Sequence, residues 1–276
     1  MALLTRHVFL TPNDSRFFRN LYESKSEYVQ RRDPGSFDAQ QVLLEARLFK
    51  VPNLVAVLPP DFKYESVVEI GCATGELLAE FPPPWNSGNV KIRKTGFDIS
   101  PSNIEAARSR FPDIEFRTED FRQSHVTADI AILSDVLEHV PDDVSFLGAA
   151  GHIARITLVN LPLEDNWLNY NRNYGPQDIS GHLRRYSLVE ALQLLAASGL
   201  EVQGWRRVWI HETECESQRR ALRHRMQGAE YSGQLASRCL KAAVYSAARI
   251  ARPLGRRLFA SNFFASATLS ARDLGR

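Results

Sequence analysis

Cysteine is scarce in this chain: Cys72, Cys215 and Cys239 are the whole supply in 276 residues. Their odd number argues against a disulfide framework, and their spacing fits no metal motif. The expectation is a protein of a reducing compartment, the cytoplasm. Long apolar runs are missing too, since none approaches the roughly 20 residues that span a bilayer. Residues 1–10 break a short apolar stretch with Arg6 and His7, and no small-residue cleavage site follows. They are read as mature protein rather than a signal peptide. Neither a Gly-x-Gly-x-x-Gly turn nor a Gly-Lys-Ser/Thr loop is present, which argues against a nicotinamide dinucleotide and against a phosphate-binding loop. Internal repeats and low-complexity tracts are also absent.

What remains is an ordinary globular composition, 44% hydrophobic and 24% charged, at a length suited to one elaborated domain or a domain with an appendage. The net charge of +2 conceals an asymmetry. From Glu201 onward 14 Lys and Arg face 6 Asp and Glu, so that part carries +8 and the rest −6. A basic segment of this kind either meets an anionic partner or is simply a solvated face.

Short β-like runs alternate with helical ones. Strands are expected at residues 64–70, 90–99, 114–117, 129–133, 153–160 and 200–210. Helices are expected after the first of these up to the triple proline Pro82-Pro83-Pro84, from Pro101 to Phe111 behind the cap Ser100, and from Ser187 to Ser198 before Gly199. That alternation predicts an α/β fold with a parallel sheet, helices on both faces, and ligands at the carboxyl ends of the strands. Residues 1–60 read as helical, with Val42, Leu43, Ala46 and Leu48 at helical spacing before Pro52. Residues 212–258 read as helical and basic, and 262–271 as a β-compatible segment that returns to the sheet as a seventh strand.

The chemistry gathers where strands end. After the first strand comes Glu69-Ile70-Gly71-Cys72-Ala73-Thr74-Gly75. Gly71 permits a sharp turn, Gly75 permits close approach of ligand or strand to the helix backbone, and the helix start offers unpaired N–H groups to an anion. An ordinary βα turn is the plain alternative. The second strand ends in Gly96-Phe97-Asp98-Ile99-Ser100, where Asp98 can accept from two ribose hydroxyls. The third is followed by Glu119-Asp120-Phe121, with a carboxylate for an adenine amino group and an aromatic wall. The fourth runs into Ser134-Asp135-Val136-Leu137-Glu138-His139-Val140. A ligand with a carboxylate, a ribose and an adenine but no pyrophosphate fits this set.

These four motifs, in this order over residues 60–210, resemble the class I S-adenosylmethionine-dependent methyltransferases. The resemblance implies a Rossmann-like seven-stranded fold with S-adenosyl-L-methionine as cofactor. It implies that Glu69, Gly71 and Gly75 hold the methionyl end, Asp98 the ribose, and Asp120 with Phe121 the adenine. Cys72, Ala73, Ile99 and Ser134 lie within the same motifs and join the cofactor-binding set. Cys72 departs from the small residue usual after Gly71; it is read as a tolerated side chain, with a reactive thiol as the alternative. A helix near Tyr22, Tyr28, Arg31 and Arg32 often closes the cofactor site in such proteins, which makes Tyr28 a candidate contact. Residues 181–187, Gly-His-Leu-Arg-Arg-Tyr-Ser, resemble an element of one branch of the family.

Candidate bases for an oxygen or nitrogen acceptor are His139 and His182, with Tyr186 and Asp135 behind them. For His139 the alternative is a loop cap, and for His182 a structural hydrogen bond. The long loop 161–176, rich in aromatics and amides, is expected to line a polar, hydroxylated or glycosidic acceptor site. In the basic insertion, Leu235, Cys239, Leu240, Ala243, Val244, Ala247, Ile250 and Leu254 form an apolar stripe. It packs on the core, lies on an anionic membrane surface, or makes a homodimer contact or binds an anionic acceptor. Nucleic acid is not expected, since no aromatic interleaving or binding motif accompanies the charge.

The resulting organisation is a helical cap (1–60), a cofactor-binding core (61–211), a basic helical insertion (212–258) and a final strand (259–276). The expected activity is methylation of a small-molecule or sugar acceptor, in cell-surface glycan or secondary metabolite synthesis. The rival is a non-catalytic nucleotide-binding or membrane-associated scaffold of the same fold.

Overall fold

The computed structural model describes residues 14–84, 91–166, 171–175, 180–227 and 261–271, with residues 169, 178 and 246. Its strands are β1 (Ser66–Ile70), β2 (Arg93–Phe97), β3 (Glu115–Arg117), β4 (Ala128–Ser134), β5 (Ala154–Leu163), β6 (Leu200–Val208) and β7 (Ser261–Leu269). They form one seven-stranded sheet in the order β3-β2-β1-β4-β5-β7-β6. The strand order reverses beside β1, and the crevice at that switch point is where ligands collect in open α/β sheets.

Alternation along the central strands divides the core between the two faces. Val67, Ile130 and Ile132 join one apolar cluster with Phe49, Leu54, Leu78 and Ile104. Val68, Ala131 and Leu133 join the other with Leu147, Ala150, Leu194 and Leu195. The first face is covered by α3 (Phe37–Glu45), α4 (Val51–Val55), α5 (Glu76–Glu80) and α6 (Pro101–Arg110), the second by α7 (Asp143–His152) and α8 (Leu188–Ala197). As read from the sequence, Ser100 caps α6 and Ser187 caps α8, the latter in a reciprocal capping box with Glu190.

Three features differ from the sequence reading. β7 runs antiparallel to both β5 and β6, so the sheet is mixed; an antiparallel neighbour is entered from the same end of the sheet and needs no crossover. The helix α7 was not anticipated, because its Gly148 and Gly151 and short apolar set give little 3.6-residue signal. Pro52 does not end the N-terminal helix. It lies in the first turn of α4, after a π-helical stretch Ala46–Lys50 in which the Val51 N–H reaches back to the Ala46 carbonyl.

The N-terminal segment begins with α1 (Asp14–Ser24) and α2 (Ser26–Gln30). Glu23 ties it to the start of α6 by accepting from the Ser100 hydroxyl (2.6 Å) and the Ser102 N–H (3.2 Å). Beyond β6, α9 (Glu214–Gln227) lies against α3, with Arg219 3.2 Å from Glu45. The apolar stripe expected at 235–254 lies outside the described residues, apart from Ser246. Among the described residues no helix is long and apolar enough to cross a membrane.

Candidate active site

Gly71 turns the chain at φ +77°, and a Cβ there would lie 2.5 Å from Val136 Cγ2. The turn is built on β2: the Phe97 carbonyl accepts from the N–H groups of Gly71 (2.7 Å) and Cys72 (2.9 Å), and Asp98 Oδ2 accepts from Ala73 (2.9 Å). The Gly75 N–H goes to the Cys72 carbonyl at 2.8 Å. These amides therefore brace the turn. Gly75 departs from expectation. At φ +87° its missing side chain makes room for Phe116, whose Cζ would meet a Cβ at 2.7 Å, and it is not on the cavity wall.

The other residues of the anticipated cofactor set, together with His139 and His182, line one cavity of about 970 Å3 at the carboxyl ends of β1, β2 and β4. Glu69 closes its floor. The Leu78 N–H steadies that carboxylate, yet Oε2 is buried without a hydrogen-bond partner, and burial holds the carboxyl well above the usual range. An unpaired buried polar atom costs about 1–3 kcal/mol; a cationic group entering from the cavity would remove that cost. Asp98 accepts from the Ser100 N–H (2.8 Å) as well as from Ala73, which fixes its orientation, while burial lifts its carboxyl above the usual range. Ile99 and Ala73 line the wall beside it.

At the next strand end, Asp120 is held by Arg122 at 2.6 Å; burial raises its carboxyl, but the guanidinium outweighs this and keeps it low. Phe121 is only 2% exposed and meets Phe146 edge-on at 5.1 Å. It seals the cavity from below rather than presenting an open aromatic face. Cys72 is buried and burial pushes its thiol well up, which makes it inert and disfavours the reactive alternative.

Ser134 and Asp135 form the end of β4. Asp135 adopts φ +55°, a strained backbone for a residue with a side chain. Its Oδ2 collects the Ser134 hydroxyl (3.1 Å), the Asn160 amide (3.1 Å) and Lys50 Nζ (2.7 Å). Burial lowers the Lys50 pKa, and Asp135 more than restores it. Nothing in the sequence marked Lys50, which reaches the site from the π-helical stretch.

His139 and His182 meet at the far end of the cavity, with ring centroids 4.8 Å apart and planes at 86°. His139 Nδ1 lies 3.0 Å from the Gly181 carbonyl, and His182 Nδ1 lies 2.7 Å from Glu164 Oε2. Burial, helped by His182, drops the His139 pKa to about 3. A base that weak removes a proton from a hydroxyl poorly, so the expected base role does not suit His139. Tyr186 is off the cavity and donates to Asp143 at 2.5 Å, a structural role.

Glu138, passed over in the sequence, is 1% exposed and lines the cavity, and beyond its own backbone N–H no other residue hydrogen-bonds its carboxylate. Burial, then Asp135 and Glu164, hold its carboxyl well up. The only signal was its place next to His139 after a strand end. Tyr22, Tyr28 and Arg31 cover this end, and Tyr28 donates to the Ser180 carbonyl at 3.4 Å. Residues 167, 168, 170 and 176 of the 161–176 loop lie outside the described residues, and among the rest only Pro162 lines the cavity. Instead Arg172 clamps Glu164 (2.6 Å) and Asp178 (2.7 Å), and Glu164 in turn holds His182.

Strand order, glycine turn and acidic strand ends define a nucleoside-binding α/β protein of the methyltransferase type. Residues 43–203 match the model of the methyltransferase domain family, and the chain belongs to that family, within the class I S-adenosylmethionine-dependent methyltransferases. Trans-aconitate 2-methyltransferase of Escherichia coli is 29% identical over 182 residues, a match covering 58% of this chain and 66% of that protein. The chain thus spans just under two thirds of the length of the curated relatives it matches. Among solved structures, magnesium protoporphyrin IX methyltransferase from Synechocystis PCC 6803 with bound S-adenosylmethionine aligns at TM-score 0.53 and 14% identity, covering 94% of this chain and 98% of that one. Plantazolicin methyltransferase, in complex with a triazolic desmethylPZN analog and S-adenosylhomocysteine, aligns at TM-score 0.52 and 14% identity, covering 92% of this chain and 94% of that one. These likenesses show the fold.

Proposed function

We propose that the protein transfers the methyl group of S-adenosylmethionine to an oxygen or nitrogen of a small-molecule or sugar acceptor. The observation that carries this reading is that one cavity is lined both by the strand-end carboxylates Glu69, Asp98 and Asp120 and by His139 and His182. The bound cofactor supplies an electrophilic methyl group on a sulfonium. Glu69 takes the ammonium, Asp98 the ribose hydroxyls, and Asp120 with the edge of Phe121 the adenine. Gly71, Cys72, Ala73, Ile99 and Ser134 shape the wall between them.

Holding acceptor and methyl in line supplies much of the rate in such a transfer. The helices of the 1–60 cap exclude water, with Tyr28 bridging to the 180 loop. Tyr22, Tyr28 and Asn262 offer aromatic faces and an amide to a hydroxylated acceptor. A second reading is an anionic acceptor, because Arg31 Nε is buried in the cavity wall without a hydrogen-bond partner. The core at 61–211 then binds the donor.

Calorimetry with S-adenosylmethionine on the parent and on Asp98→Ala tests the donor site, and labelled-methyl transfer to hydroxylated, glycosidic and carboxylate compounds tests the acceptor. Binding that weakens at least tenfold in Asp98→Ala is expected. Absence of binding at submillimolar cofactor would favour the scaffold reading, and transfer only to protein or RNA would sink the small-molecule acceptor.

A further inference from the structure

We propose that Glu138, His139 and His182 form a binding site for a divalent transition-metal ion at the acceptor end of the cavity. Each offers one ligand atom, and these atoms all lie within 4.8 Å of one another. Two imidazoles and a carboxylate are a donor set suited to zinc, manganese, iron(II) or cobalt(II) rather than to magnesium or calcium. Coordination at about 2.1 Å draws the three donors inward from their present spacing.

The surroundings are built as a metal site requires. Both Glu138 carboxylate oxygens are buried and, beyond its own backbone N–H, no other residue hydrogen-bonds them, although Leu183 and Gly181 lie alongside. A cation is the partner that would satisfy them. Each histidine is oriented through Nδ1, His139 against the Gly181 carbonyl and His182 against Glu164, which assigns ligation to Nε2. His139 Nε2 already lies 3.9 Å from Glu138 Oε1. Outer carboxylates and carbonyls of this kind fix the tautomer and raise the basicity of ligating histidines.

The two segments that carry the ligands are also tied together. The Leu183 N–H donates to the Glu138 carbonyl at 2.8 Å, and Arg184 donates to the carbonyls of Val140 (2.5 Å) and Pro141 (2.7 Å). Three protein ligands leave positions open to a further oxygen. An acceptor hydroxyl or carboxylate binding there would be held facing the donor, and a hydroxyl would release its proton to water more readily. That consequence rests on the methyl-transfer reading; metal binding does not.

The test uses the full chain stripped with a chelator. Cobalt(II) is titrated with visible absorption as readout, zinc(II) and manganese(II) by calorimetry, and each variant is also titrated with S-adenosylmethionine. One ion per chain is expected in the parent. Glu138→Gln, chosen because it is nearly isosteric, and His182→Ala should each weaken binding at least tenfold. Glu164→Gln should weaken it about 10- to 100-fold while keeping one ion per chain. His152→Ala, on the exposed end of α7, should change nothing. No stoichiometric binding in the parent overturns the site, as does equal binding by the parent, Glu138→Gln and His182→Ala. A parent that binds the metal but not S-adenosylmethionine overturns the methyl-transfer reading and leaves the metal site standing.

Discussion

Substituting Gly71 by alanine should uncouple the turn from the strand that faces it. The new Cβ would stand 2.5 Å from Val136 Cγ2 and 3.4 Å from Cγ1, at a φ of +77°. The left-handed backbone costs a residue with a side chain about 1–2 kcal/mol, and forcing a methyl group into filled space costs about 1–3 kcal/mol more. Retreat is blocked on both sides. Gly71 and Cys72 are fastened to the Phe97 carbonyl, and Val136 follows Asp135, itself at φ +55°. The expected loss is therefore roughly 2–5 kcal/mol in urea denaturation, with weaker S-adenosylmethionine binding by calorimetry. Val136→Ala removes the clash but not the backbone strain. In the double variant about 1–3 kcal/mol should return as a favourable coupling. Gly71→Ala within about 0.5 kcal/mol of the parent would refute the steric reasoning. So would a double variant whose losses simply add.

Removing Arg110 (Arg110→Met) should cost about 3–5 kcal/mol. It leaves Glu76, 2% exposed, with only the Thr74 hydroxyl as partner; a urea midpoint close to the parent's would count against the buried pair. Gly96→Ala places a Cβ 2.7 Å from Phe116 and 2.8 Å from Cys72 Sγ, and a destabilisation of about 1–3 kcal/mol is expected. Burial raises the Asp178 carboxyl, but Arg172 and the N–H groups of His182 and Ser180 prevail and pull it down to about 2. Its folded pKa lies below the unfolded value of about 3.9. Its stabilisation is therefore present above pH ~4 and lost as pH falls from there towards about 2. After allowance for solvent screening this is on the order of 1 kcal/mol. Asp178→Asn should flatten that part of the acid-denaturation curve, and an unchanged slope would argue against the clamp.

The part of the cavity built on the ends of β1, β2 and β3 was legible because it is local. Each of its residues lies at a strand's end or a few positions beyond it, and a parallel sheet brings strand ends to one edge, so motif order along the chain becomes position around a crevice. Glu69, Gly71, Asp98 and Asp120 could be placed in that way. So could the caps Ser100 and Ser187, whose hydrogen bonds reach only three residues.

The acceptor half was not legible in this sense. Glu138 stands beside His139 in the sequence, but His182, Glu164 and Lys50 come from other elements, and only packing brings them together. The loop expected to line the acceptor site instead orients His182, because Arg172 finds its carboxylates within the same loop and turns them inward. The sequence by itself determined which strand ends border the cavity, since periodicity and turn chemistry act over a few residues. The tertiary structure alone decided the antiparallel run of β7, the use of Gly75 for packing, and the meeting of two imidazoles with an unpaired carboxylate. Long-range burial and charge compensation have no counterpart in local pattern.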